Sequence, residues 1–134
     1  MGVYLNGTSA YNLFQEDFSL TYYVDKTEIL SDLVPLIELR KNISEKDGEN
    51  KGKGPKYVAI TRPRRFGKTV MANMIAAYFG KGVDSHGEFD MLKVSAYPWY
   101  RKHLNQHNVI RIVLNEMPRE CSSYAQYIDL FRRC

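Results

Sequence analysis

The feature that most constrains this chain is a change of apolar rhythm between residues 57 and 79. Residues 57–61, YVAIT, form a short apolar run with β-branched members, bounded by Pro55 and Pro63. Such a run predicts a buried strand. From Val70 onward the apolar residues Val70, Met71, Met74, Ile75, Tyr78 and Phe79 repeat with helical spacing. They define one face of an α-helix, which Gly80 and Gly82 should stop. Between the two lies TRPRRFGKT, residues 61–69. The reading is strand, loop, helix, with Gly-Lys-Thr at the helix N-terminus.

That placement has chemical consequences. A helix N-terminus offers unpaired N–H groups and the positive end of a dipole, which suits phosphate. Gly67 lets the backbone turn freely and come close to a ligand. Lys68 would reach the β and γ phosphates of a nucleotide, and Thr69 would place its hydroxyl on Mg²⁺. The full phosphate-loop pattern, G-x-x-x-x-G-K-[ST], wants glycine where Arg62 stands. Pro63 also removes one N–H early in the loop. A plain strand-to-helix turn carrying a basic cluster fits the same residues. Arg62, Arg64, Arg65 and Lys68 place four positive charges in seven positions. Whatever anion the chain binds, this is where its charge is concentrated.

The chain has 134 residues and a net charge of +4. That length suits one domain and not two. No apolar run approaches the roughly 20 residues of a membrane helix. The opening MGVYLNGTSA has no basic segment followed by an apolar one, so it predicts no secretory signal. Asn6 stands where a myristoylation site wants Ser or Thr. Cys121 and Cys134 do not form a disulfide framework, and no Cys/His spacing suits zinc. A cytoplasmic protein is expected, in which the sequons at Asn6 and Asn42 are silent.

Elsewhere the patterns are shorter. Residues 18–24, FSLTYYV, read as a short strand or an extended lead-in. Asp25 and Glu28 have the spacing of a capping box ahead of a helix carrying Ile29, Leu30, Leu33 and Val34. Pro35 should kink that helix or start a second segment through Leu39. Residues 42–56 hold no periodic apolar residue and predict a mobile, solvated loop. Residues 83–97 look irregular, anchored by Phe89, Leu92 and Val94. A short helix is expected over 98–106, a second strand over 109–114, and an amphipathic helix over 123–133. That last helix would be capped by Ser122 or Ser123 and would bury Tyr127, Ile128 and Phe131. His103 and His107 have metal-like spacing but no acidic or Cys partner nearby in sequence, so surface or boundary histidines are expected, as for His86. Trp99, Tyr97 and Tyr100 read as core packing in preference to base stacking.

Three stretches carry a family resemblance: YYVDKTEIL (22–30), ITRPRRFGKTVMANMIAAYF (60–79) and HLNQHNVIRIVL (103–114). Together they resemble the AAA-ATPase-like family of bacterial P-loop proteins, over about residues 14–130. The octamer from Arg62 to Thr69 is the most specific part, and the family itself has arginine at the position of Arg62. The resemblance implies an α/β fold: a partial P-loop NTPase-like (AAA-like) parallel sheet with flanking helices, over residues 14–134. It implies that Arg65, Phe66, Gly67, Lys68, Thr69 and Val70 hold ATP phosphates, with Mg²⁺ on Thr69. Arg62 and Arg64 would add phosphate or partner contacts, or belong to a solvated basic loop. Tyr23, Asp25, Lys26 and Thr27 match an upstream motif whose role is either contact with the nucleotide or a helix cap.

The resemblance also implies a Walker B strand ending in Asp-Glu, downstream of the last helix here. Glu116 in VLNE reads as an ordinary strand-end residue, so the acidic groups of hydrolysis are not identified. The chain thus reads as the N-terminal part of a longer ATPase, truncated before Walker B. Its expected partners are ATP, a missing C-terminal part or like subunits. Many family members carry a PD-(D/E)XK nuclease-like domain, which suggests nucleic acid as a substrate of the full-length protein. The alternatives are a nucleic-acid-binding module using the basic cluster, and a fragment that docks on a partner.

Overall fold

The computed structural model describes residues 4–5, 7–44, 57–113, 123, 125–126 and 128–129, with side chains from residue 7 onward except 39–44. Among them lies a helical body rather than a parallel sheet. Helix α1 spans Ser9–Phe18, α2 Leu30–Ser44, α3 Lys68–Phe79, α4 His86–Phe89 and α5 Tyr100–His103. Single 3-10 turns cover Thr27–Ile29 and Lys93–Ala96.

The predicted α/β parallel sheet is overturned. The described strands are β1, Tyr4–Leu5, and β2, Ile110–Arg111, and they pair antiparallel with Tyr4 opposite Arg111. One isolated parallel bridge joins Gly80 to His107. Residues 57–61 are not a strand, and Tyr57, Val58 and Ile60 are exposed at 90%, 53% and 37%. The physical reason is that an apolar run marks a segment suited to a sheet, but a ladder also needs a neighbour to bond. Among the described residues no strand pairs with 57–61. The second predicted strand shrinks to Ile110–Arg111, with Ile110 and Ile112 turned outward. Residues 19–24 form a turn and irregular backbone, so no strand stands there either.

Helix α1 lies outside the sequence expectations. Its signal was present: Ala10, Phe14 and Phe18 recur at every fourth position. Ala10 and Phe14 are buried, and Phe14 stacks on Phe89 with ring centroids 4.9 Å apart. Helix α2 runs through Pro35 to Ser44 without ending at Leu39, so 42–44 are helical and not loop. Pro35 removes one backbone N–H there. The rest of the predicted loop, 45–56, lies outside the described residues, as do Cys121, Cys134, Glu116, Tyr127 and Phe131. Residues 125–126 and 128–129 are helical with Ile128 half-buried. The Ser123 hydroxyl accepts from the Gln126 N–H at 3.4 Å, in the manner of the expected cap.

Helix α3 is the axis of the body. Met71, Met74, Ala77, Tyr78 and Phe79 are buried, and α1 packs along it. Phe89, Leu92 and Val94 are buried anchors, as expected. Tyr97 stacks on Trp99, and Trp99 and Tyr100 both pack on Tyr78, which puts this cluster in the core. The Tyr78 hydroxyl donates to the Tyr100 carbonyl at 2.8 Å, so the largest buried polar tip is satisfied. Burial pushes the phenols of Tyr78 and Tyr100 upward, with Asp90 adding to it at Tyr100.

The C-terminal end of α3 is fully occupied. The last four carbonyls of a helix have no partner within it. Here the Ala77 carbonyl accepts from Asn105 Nδ2 at 3.0 Å and from Ser85 Oγ at 3.1 Å. The Tyr78 carbonyl takes the Asn105 N–H at 2.7 Å and the Phe79 carbonyl the His107 N–H at 2.8 Å. Asn105 Nδ2 also donates to the Gly80 carbonyl at 3.0 Å. Asn105 has φ +54°, a conformation that asparagine tolerates better than most residues.

Candidate functional site

At the other end of α3 the loop of residues 62–67 folds back on itself. Gly67 is the N-cap residue, left-handed with φ 72° and ψ 33°, and no side chain caps the helix. The first intrahelical bond runs from the Met71 N–H to the Gly67 carbonyl at 2.9 Å. The N–H groups of Lys68, Thr69 and Val70 therefore precede the helical ladder. Arg65 also has positive φ, 66°. Among the described residues, positive φ occurs at Arg65, Gly67 and Asn105. Positive φ at Arg65 and at Gly67 brackets Phe66, and left-handed residues in succession with helical ones are how a backbone gathers N–H groups around an anion.

Lys68 reaches back across this loop. Its ammonium donates to the Arg62 carbonyl at 2.5 Å and to the Pro63 carbonyl at 3.0 Å. Pro63 has no N–H to offer, but its carbonyl serves here as an acceptor. Arg62, Arg64 and Arg65 are exposed, and no ion pair engages them among the described residues. Phe66 is 57% exposed, and Thr69 is exposed while Val70 is half-buried.

Beside the loop opens a cleft of about 340 Å³. Its walls come from the end of α1, from residues 20–26 and from the loop and first turns of α3. Tyr22 and Phe66 are exposed aromatics along it, and Met71 and Met74 are buried side chains lining it. Asp17 is its acidic member. Burial above all, with Asp25 and Asp17 nearby, pushes Tyr23 up to about 12, so its phenol stays neutral.

The upstream motif proves to be more than a helix cap. Asp25 Oδ1 accepts from the Thr27 N–H at 2.9 Å and from the Thr27 hydroxyl at 2.6 Å. Its other oxygen accepts from the Lys93 N–H at 2.8 Å. Thr27, fully buried, accepts the Val94 N–H on its hydroxyl at 3.2 Å. The capping-box expectation is not met: the N-cap position of this turn is Lys26, without a side-chain cap, and Asp25 bonds Thr27 and not the N–H of Glu28. Glu28 does not reach back to a backbone N–H but pairs with the Lys93 ammonium at 3.6 Å. Lys26, between the two clamped residues, donates to the Phe66 carbonyl at 2.9 Å.

The histidines are arranged differently from the expectation. His103 is fully buried, and it does have an acidic partner: its Nε2 lies 3.1 Å from Glu38 Oε1. Its Nδ1 lies 2.9 Å from His107 Nε2. Hydrogen bonds from Lys102 first, then from His103, hold the Glu38 carboxyl below the usual carboxylate range. Glu38 was out of sight in sequence because it joins from α2, 65 residues away. His86 is exposed and bonds Asp84 at 2.8 Å. Among the described residues no group of three or more His, Cys, Asp or Glu is disposed to hold a metal ion, and no helix is long and apolar enough to cross a membrane.

Of the predicted phosphate-binding set, Arg65 through Val70 lie contiguously on the loop and first turn of α3, with Arg62 and Arg64 on the same loop. Comparison with known proteins adds one finding. A family described as predicted AAA-ATPase, AAA-ATPase-like, matches residues 50–132, which include the whole loop and α3. No curated protein and no solved structure matches the chain.

Proposed function

We propose, from the premise that this chain belongs to the AAA-ATPase-like family, that its loop of residues 62–69 binds the phosphates of ATP. The observation that carries this reading is the disposition of Lys68. Its ammonium is drawn over the loop carbonyls at the uncapped N-terminus of α3. There a phosphate would meet both a cation and the leading N–H groups of a helix. The roles follow from position. Gly67, Lys68 and the N–H groups of Thr69 and Val70 hold phosphate oxygens. The Thr69 hydroxyl holds the Mg²⁺ that accompanies ATP, and Arg65 and Phe66 shape the near side. Arg62 and Arg64 stand further out as additional phosphate contacts. The adjoining cleft, at about 340 Å³, falls in the range of small-ligand sites and is open to the nucleoside.

The proposal covers binding and not turnover. Hydrolysis asks for one acidic group on Mg²⁺ and another on water. Both oxygens of Asp25 are already engaged by Thr27 and Lys93, and Asp17 lines the nucleoside side. Titration of the chain with a fluorescent ATP analogue and Mg²⁺ tests the reading. Loss of a charge-assisted bond in Lys68→Ala should weaken binding about 10- to 100-fold. Wild-type and variant curves that overlay would sink it.

The exposed guanidiniums of Arg62, Arg64 and Arg65, without an ion pair among the described residues, favour a second reading, in which the loop grips nucleic-acid phosphates. That reading predicts affinity falling steeply with salt, and displacement of the analogue by DNA.

A further inference from the structure

We propose that Lys26 is a positioning residue for the phosphate loop, setting the direction of the Gly67 N–H; the idea rests on the phosphate-site reading above. The loop is exposed from Thr61 to Phe66, and the segment leading into it, 57–60, is exposed as well. Among the described residues, Lys26 Nζ to the Phe66 carbonyl, 2.9 Å, is the hydrogen bond that reaches this loop from elsewhere in the chain. The two bonds of Lys68 stay within the loop and its own helix.

The bond acts at the peptide where direction matters. The unit joining Phe66 to Gly67 is trans. In a trans peptide the carbonyl and the following N–H point opposite ways. Holding the Phe66 carbonyl toward Lys26 therefore turns the Gly67 N–H to the other face. Phe66 stands between the two loop residues of positive φ, Arg65 and Gly67, so a flip of this unit would have to change the φ of Gly67 and with it the start of α3. Lys26 also guards Gly67 sterically: a Cβ there would come within 3.2 Å of its ammonium nitrogen.

Lys26 is itself well anchored. On one side Asp25 binds the Lys93 N–H, and on the other Thr27 binds the Val94 N–H. The lysine backbone is thus fixed to the 3-10 turn at Lys93–Ala96, and only its side chain remains to be ordered. The three consecutive residues form a strut, two of them gripping the body and the middle one gripping the loop.

Hydrogen exchange of the ligand-free full chain tests the strut without any nucleotide. In Lys26→Met, which keeps an unbranched apolar stem, exchange of the Met71 amide, which donates to the Gly67 carbonyl, should speed up about fivefold or more, with the melting temperature little changed. Lys26→Arg should restore slow exchange, because a guanidinium can donate to the same carbonyl. Exchange in Lys26→Met that matches the wild type overturns the proposal. So does Lys26→Arg behaving like Lys26→Met while both remain folded. A second arm titrates the chain with a fluorescent ATP analogue in the presence of Mg²⁺. Lys26→Met should weaken the analogue about tenfold, and Lys26→Arg should recover most of the loss. If the wild type binds no analogue, the phosphate reading fails, while the exchange arm still decides whether Lys26 orders the loop.

Discussion

Helix α3 has two ends of opposite character. At its C-terminus every orphan carbonyl from Ala77 to Gly80 is taken by Asn105, Ser85 or His107. At its N-terminus no side chain caps the helix, and the leading N–H groups open onto an exposed basic loop. The first arrangement locks the helix into the body. The second keeps donors and positive charge facing outward, where a bound anion could complete them. A helix stabilised only by packing would have no reason to treat its ends so differently. The contrast separates residues whose loss should cost stability from residues whose loss should cost binding.

The largest stability effect should come at the closed end. Asn105→Ala removes the donors to the Ala77 and Gly80 carbonyls and the acceptor for the Ser85 N–H. It also places alanine at φ +54°. Together these should cost about 2–4 kcal/mol, read from urea denaturation. Affinity for an ATP analogue should be unchanged at temperatures where the variant stays folded. A loss below about 1 kcal/mol would mean that the closed end does not hold the helix, and the comparison breaks.

The open end should respond in reverse. Gly67→Ala forces a side chain into φ 72° and within 3.2 Å of Lys26 Nζ. The left-handed conformation alone costs about 1–2 kcal/mol, so the stability loss should be smaller than for Asn105→Ala. The affinity loss should be larger, tenfold or more, because the loop can relieve the strain only by leaving its present shape. Equilibrium unfolding and titration with the analogue, run on both variants, give a two-by-two test. Parallel losses in both columns would show that the ends do not divide the labour.

Helix α3 and the position of its loop were legible in the sequence because both are local. The apolar period of Val70 to Phe79 and the Gly-Lys-Thr at its head lie within a few turns of one another. The anchors Phe89, Leu92 and Val94 were legible for the same reason. The parallel sheet was not, because apolar runs at 57–61 and 109–114 declare suitability for pairing and say nothing of a partner. What escaped altogether was long-range polar chemistry. Asn105 reads as a loop residue until it is seen beneath Ala77 and Gly80. Asp25 and Thr27 bond backbone N–H groups 68 and 67 residues away, which no side-chain pattern marks. Lys26 looked like a member of a motif without a task, since its acceptor is a main-chain carbonyl that every residue possesses.

The smallest effect is the most discriminating, and it depends on pH. Burial alone would raise Asp25, but the Lys93 N–H, the Thr27 hydroxyl and N–H, and the Lys93 charge together bring it below the ordinary aspartate value. A group whose folded value is depressed contributes stability that is present above its unfolded value, about 3.9. That contribution is lost as pH falls through the lower, folded value. The clamp should therefore be intact at neutral pH and loosen only below about pH 4. Because Asp25 is partly solvated, the global change should stay under about 1 kcal/mol. Its local consequence should be clearer. Releasing Asp25 frees the strut that carries Lys26, so protection of the Met71 amide, which donates to the Gly67 carbonyl, should fall in acid after correction for intrinsic exchange. Amides held by the closed end, such as Asn105, should keep theirs, since neither Asn105 nor Ser85 titrates. In Asp25→Asn the Met71 amide should be poorly protected already at pH 7 and lose little more on acidification. Equal acid sensitivity at Met71 in wild type and Asp25→Asn would place the titrating group elsewhere and detach the clamp from the loop.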